Sequence, residues 1–277
     1  MTLMRALELF SADSIRPFRK QFTCAIALST LAALVCCNVL PAASINYGTF
    51  NLPADGIMFQ NVTESSGTDA VPLYGPPDAF PIGLDFDPAS FVSTSSGGGA
   101  DVTDGQLNFT IMGLSNSFGS VGVSSVKLFE AGDYTLAGAG GLGTSVTSGA
   151  IMRAAVTQIN GSAVAPINLI PVNASFSDSL PGAVVVAPWS LGLTLDVAAQ
   201  LSSLGFGADQ VATKVEISVN NALVSTSETS SVAFIAKKEF QIDLTPDVVG
   251  DPFIPEPSTL LLAALVVGFA SVNRRGH

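Results

Sequence analysis

The chain has 277 residues, of which 48% are hydrophobic and only 12% charged, and its formal net charge is −11. Residues 45–254 hold five cations against 19 carboxylates, a net charge of −14, which disfavours nucleic acid and anionic polymers as partners. The single histidine is His277, and the cysteines Cys24, Cys36 and Cys37 all precede residue 45. Residues 45–254 therefore cannot build Ser–His–Asp or Cys–His catalysis, histidine zinc sites or disulfides.

Arg5, Arg16, Arg19 and Lys20 form a basic leader ahead of Phe22–Leu40, an almost unbroken apolar run. Ala42-Ala43-Ser44 then offers the small residues of a cleavage site. The pattern predicts a signal peptide over 1–44, export through the Sec translocon, and a signal-peptidase cut after Ser44. A lipoprotein signal is the alternative at Cys36 and Cys37, but Val35 fits poorly where lipid attachment wants a small residue.

Residues 45–250 read as one extracellular domain. Val, Ile, Thr, Ser and Phe dominate, with Gly, Asp, Asn and Pro as punctuation. Glu64–Pro81, Ser93–Asp104 and Gly138–Gly149 are rich in small and turn residues and read as surface loops. Gln106–Met112 alternates, with Leu107, Phe109 and Ile111 on one side. Val121–Phe129 alternates with a change of phase at Ser124-Ser125, which predicts a bulge. Glu130–Asp133 reads as a turn into Tyr134. Ser148–Ile159 reads as a long strand, closed by an Asn160-Gly161 hairpin turn. Asp196–Leu204 places Val197, Leu201 and Leu204 at helical spacing, with Asp196 as N-cap and Gly205 as stop. Lys214–Val219 alternates, Asn220-Asn221 reads as a turn, and Val232–Ala236 and Glu239–Leu244 complete the set. The expected fold is all-β, an antiparallel sandwich or jelly roll with one short helix, flanked by the signal peptide and a C-terminal transmembrane helix.

Several residues are candidates for chemistry. Asp85 and Asp87 fall on one face if extended. With Asp101 and Asp104 they would make an oxygen-lined calcium site, although no EF-hand loop is present and turn caps explain them equally. A carboxylate pair for glycoside hydrolysis has no pocket motif to support it. Sugar binding needs an exposed aromatic face. Tyr74, in the proline-rich loop, is the candidate, whereas Trp189 reads as packing. Lys237-Lys238, the one basic pair, reads as a solvated turn or an edge guard. No cofactor is expected apart from the calcium option.

Residues 251–277 form a tail in three parts. Pro255 and Pro257 hold Pro255-Glu256-Pro257-Ser258 extended. The apolar Leu260–Val272 gives only about 20 Å of helix against roughly 30 Å of hydrocarbon. Arg274 and Arg275 close it on the cytoplasmic side. An ordinary membrane anchor is the alternative reading. The three parts in order resemble the PEP-CTERM sorting signal, with Ile254 where valine is usual. That resemblance implies a membrane protease of the exosortase class, a transient stay in the inner membrane, and release to the cell surface or extracellular matrix. Asp101–Gly105 and Ser231–Phe240 also resemble exported proteins bearing this tail, which implies a β-rich extracellular domain and adds nothing about activity. The expectation is a structural or adhesive, non-enzymatic protein of a surface polysaccharide matrix, with a carbohydrate- or calcium-binding module as the alternative.

Overall fold

The computed structural model describes residues 43–116, 119–180 and 185–250. Residues 1–42, where most of the expected signal peptide falls, and the tail 251–277 with its expected transmembrane helix lie outside the described residues. Among the described residues, no helix is long and apolar enough to cross a membrane. The expected cut after Ser44 falls inside a strand that begins at Ala43, and would leave Ile45–Leu52 of it in place.

The strands, in chain order, are β1 (Ala43–Leu52), β2 (Ile57–Ser66), β3 (Asp78–Phe80), β4 (Gly83–Phe86), β5 (Val92–Ser96), β6 (Ala100–Gly113) and β7 (Ser115–Asn116). They continue as β8 (Gly119–Gly138), β9 (Ser145–Ile159), β10 (Ser162–Asn168), β11 (Val172–Ser179), β12 (Val185–Asp196), β13 (Ala212–Thr226) and β14 (Ser231–Gly250). One helix, α1 (Val197–Ser203), interrupts them. All pairings are antiparallel and make two seven-stranded sheets. The first runs β1-β2-β6-β13-β9-β10, with β11 also on β9; the second runs β12-β8-β14-β4-β3, with β5 on β14 and β7 on β8.

Both sheets contribute to one apolar cluster. Leu107, Phe109 and Ile111 of β6 face Val219, Ile217 and Val215 of β13 in register, and all six are buried. This is the period-2 pattern the sequence predicts. The Asn160-Gly161 turn is also present, with φ of 48° and 77° at its two residues. Helix α1 starts as expected. The Asp196 carboxylate accepts from the Ala199 N–H at 2.8 Å. Gly205, at φ 92°, follows the last turn.

The bulge expected at Ser124-Ser125 is there. Thr245 pairs with Ser125 and Pro246 with Val123, so Ser124 is the extra residue. A second bulge was not expected. Lys237 pairs with Gly132 and Glu239 with Ala131, which leaves Lys238 unpaired on β14. The extra residue resets the parity of the strand. Ala233, Ile235 and Lys237 point inward before it, and Phe240, Ile242 and Leu244 after it. The apparent gap between Val232–Ala236 and Glu239–Leu244 is therefore a bulge within one long strand.

Four other sequence expectations fail in related ways. Glu130–Asp133 lies inside β8, and Asn220-Asn221 lies inside β13. Ser93–Asp104 is mostly strand, β5 joining the second sheet and β6 the first across a short turn at Gly97 and Gly98, both at positive φ. Glu64–Pro81 is only partly loop, since Glu64 is a buried residue of β2 that accepts hydrogen bonds from Tyr47 Oη at 2.5 Å and from the Leu73 N–H.

Candidate functional site

The centre of the body holds a polar trio where its strands would otherwise place apolar side chains. Val126, Leu128 and Glu130 share the inward face of β8, and Val219, Asn221 and Leu223 that of β13. Lys237 points inward from β14, held there by the bulge at Lys238. Lys237 Nζ lies 2.7 Å from Glu130 Oε2, and both side chains are fully buried. The same ammonium contacts Asn221 Oδ1 from the facing sheet.

Aromatic rings close the remaining space. Lys237 Nζ sits 4.5 Å from the centre of the Phe91 ring, 5.1 Å from Phe240 and 5.6 Å from Tyr74. Tyr74 meets Phe240 edge-on at 4.8 Å and Phe91 at 5.1 Å. The rings fit because the neighbours of Asn221 across the ladder are small, Gly105 on β6 and Ala150 on β9. A Cβ on Gly105 would stand 2.6 Å from Phe91 and 3.0 Å from Tyr74.

Burial dominates the titration of these groups. It pushes the Glu130 carboxyl up, against the opposing charge of Lys237, and pushes the Lys237 amine down, against Glu130. Both shifts favour the neutral forms. Burial likewise raises the Tyr74 phenol. The Asn221 carboxamide lies near enough to help stabilise the Glu130 carboxylate, yet its Nδ2 makes no well-formed hydrogen bond.

Tyr74 is thus no exposed sugar platform. Its proline-rich loop folds inward, and its hydroxyl donates to the Gly105 carbonyl at 3.2 Å. Trp189 is packed, as expected, and donates to the Ala236 carbonyl at 3.0 Å. Tyr134 is buried against Asp178, and Tyr47 is half-buried against Glu64.

The four carboxylates proposed for calcium do not converge. Asp85 and Asp87 are exposed at β4 of the second sheet and its end, whereas Asp101 and Asp104 lie on β6 of the first. Among the described residues, no group of three His, Cys, Asp or Glu side chains is placed to hold a metal. Burial, then Asp87, Asp78 and Asp243, raise the Asp85 carboxyl. Asp101 accepts from the Thr94 N–H at 2.7 Å. Burial alone would raise Asp104, but the Thr68 hydroxyl and the N–H groups of Gly67 and Thr68 outweigh it and hold its pKa down. A depressed folded pKa contributes stability that is present above the ordinary value of 3.8 and lost as pH falls through the folded one. Asp104→Asn should therefore lower stability at neutral pH and flatten the acid limb below about pH 4, as read by thermal melts across pH.

Lys238 is exposed and pairs with Asp133. The expectation of a solvated basic pair thus holds for Lys238 alone.

The outward face of the first sheet is a second feature. Gln106, Asn220, Asn173 and Ser175 line a shallow depression of about 670 Å³ across β6, β13 and β11. Asn108, Ser218, Asn168 and Arg153 line an adjoining one of about 430 Å³. Gln106 Nε2 donates to Asn108 Oδ1 at 3.1 Å and to Ser218 Oγ at 3.0 Å, so these amides form an ordered polar surface.

No curated protein matches this sequence. Among solved structures, the chain is similar to the enzymatically active domain of bacteriophage CBA120 tailspike protein 4, at 16% identity over 74% of this chain and 19% of that one, TM-score 0.17. It is similar to TmCBM61 in complex with β-1,4-galactotriose at 10% identity over 75% of this chain and 90% of that one, TM-score 0.17. The infectious bursal disease virus VP2 subviral particle follows at 11% identity, 72% and 50% coverage and TM-score 0.12. These scores assign neither a fold family nor a ligand. Residues 253–275, in contrast, match the PEP-CTERM protein-sorting motif, which contains Pro255, Glu256, Pro257, Ser258, Arg274 and Arg275. The chain is an exported protein bearing a C-terminal PEP-CTERM sorting signal.

Proposed function

We propose that this chain is a structural or adhesive, non-enzymatic β-sandwich module of the cell surface or extracellular matrix, held in the inner membrane for a time by its tail and released by an exosortase-type protease. The observation that carries this reading is the sorting motif at residues 253–275, joined almost directly to β14. A body without histidine or cysteine, in which Trp189, Tyr74, Tyr134 and the Lys237–Glu130 pair are all buried, supports a structural role over a catalytic one. Mass spectrometry of the secreted protein tests the route. The expected mature form ends before Leu260; a secreted form that retains Leu260–Arg275 overturns release by cleavage.

Carbohydrate binding is the second reading, favoured by the amide and hydroxyl row on the outward face of the first sheet. Such groups hydrogen-bond sugar hydroxyls, and the absence of a free aromatic face there points to weak, neutral-glycan binding. Titration calorimetry with neutral polysaccharides should give heat that Asn220→Ala with Gln106→Ala reduces at least tenfold in affinity. Equal binding by that variant would remove this face from consideration.

A further inference from the structure

The Lys237–Asn221–Glu130 trio holds an amine against a carboxamide, with a carboxyl group beside both, in a space closed to water. Lys237 Nζ contacts the Asn221 side chain and stands 2.7 Å from Glu130. Lys237 is 1% exposed, Asn221 3% and Glu130 0%. From this juxtaposition we infer that Lys237 and Asn221 join in an intramolecular isopeptide bond, with Glu130 as the catalytic proton carrier.

The step balances without a co-reactant. The neutral Lys237 amine attacks Asn221 Cγ as the protonated Glu130 carboxyl gives its proton to Asn221 Oδ1 and takes one from the attacking nitrogen. As the carbonyl re-forms, Glu130 gives that proton to Nδ2 and takes back the one on Oδ1, the Cγ–Nδ2 bond breaks, and ammonia leaves. The products are a secondary amide between the two side chains and one ammonia. The fold supplies the attack geometry, which replaces a bimolecular encounter by contact within the core. Exclusion of water removes hydrolysis as a competitor.

Two independent observations support this assignment. Burial moves both ionisable partners toward neutrality, the state in which the amine is a nucleophile and the carboxyl carries a proton. Asn221 Nδ2 is buried with no hydrogen-bond partner, which is costly for a retained amide and is removed if that nitrogen departs. The bond would tie β13 of the first sheet to β14 of the second, in a body that has no cysteine with which to do so.

Peptide mass spectrometry of the folded full-length chain is the test. Trypsin normally cuts after Lys214, Lys237 and Lys238. The bonded form should resist cutting at Lys237 and yield Val215–Lys238 lighter by one ammonia, about 17 Da, with no backbone fragments between Asn221 and Lys237. Normal cutting at Lys237 with full mass overturns the proposal. So does a loss of ammonia with normal cutting, which marks a cyclised asparagine instead. Glu130→Gln should yield the uncrosslinked peptide; a crosslink that still forms in it would remove Glu130 from the reaction. The wild-type peptide decides the bond itself even if that variant does not fold.

Discussion

Lys237→Ala should cost the folded body about 3–5 kcal/mol, because it strands the Glu130 carboxyl and the Asn221 amide in an apolar core. Urea denaturation should show the loss as a lower midpoint. Lys238→Ala, one residue away, should change stability by no more than about 1 kcal/mol, since the Lys238–Asp133 pair is exposed to solvent. A loss below about 1 kcal/mol at Lys237 would mean that water reaches Glu130. Glu130→Leu combined with Lys237→Met separates two origins of the effect. A simple ion pair replaced by apolar side chains is neutral or stabilising. A crosslink that closes a loop of about 15 residues contributes roughly 3 kcal/mol through the unfolded chain, and the double variant would still lack it.

Inserting an alanine between Glu239 and Phe240 should prevent folding. Lys238 is already the one extra residue that lets Lys237 and Phe240, three positions apart, share a face. One more residue turns Phe240, Ile242 and Leu244 outward if Lys237 stays inward, although all three are buried in the native body. Exposing three such side chains costs roughly 5–9 kcal/mol, which is comparable to the whole stability of a domain. The measurement is the soluble yield and far-ultraviolet dichroism of the insertion variant. A soluble protein with a native melt would show that β8 and β14 absorb a second extra residue. Deleting Lys238 instead leaves Lys237 opposite Gly132 and Glu239 opposite Ala131 in continuous register, and should keep the fold.

The sequence made the regular parts of the fold readable. Leu107, Phe109 and Ile111 announce β6 by alternation alone, and Asp196 and Gly205 bracket α1 by their capping chemistry. Local signals sufficed there because side-chain preference and tertiary burial agree. They disagree at Glu130, Asn221 and Lys237, each of which reads locally as a break between strands. The same three residues meet at the core. Parity carried the missing signal: Asn221 continues the inward series Val215, Ile217, Val219, and Glu130 continues Val126, Leu128. Nothing comparable marks Tyr74. Its burial depends on Phe86, Phe91 and Phe240 arriving from β4, the segment before β5 and β14, a long-range arrangement that no nearby residue encodes.

β14 remains paired with β8 up to Gly250, opposite Gly119. At no more than about 3.6 Å per residue, the five steps from Gly250 to Pro255 span at most about 18 Å. A protease that reads Pro255–Pro257 thus has little clearance from a finished domain. Either its substrate groove opens sideways, with headroom for a bulky cargo at the membrane surface, or it must act before the final ladder has zipped shut.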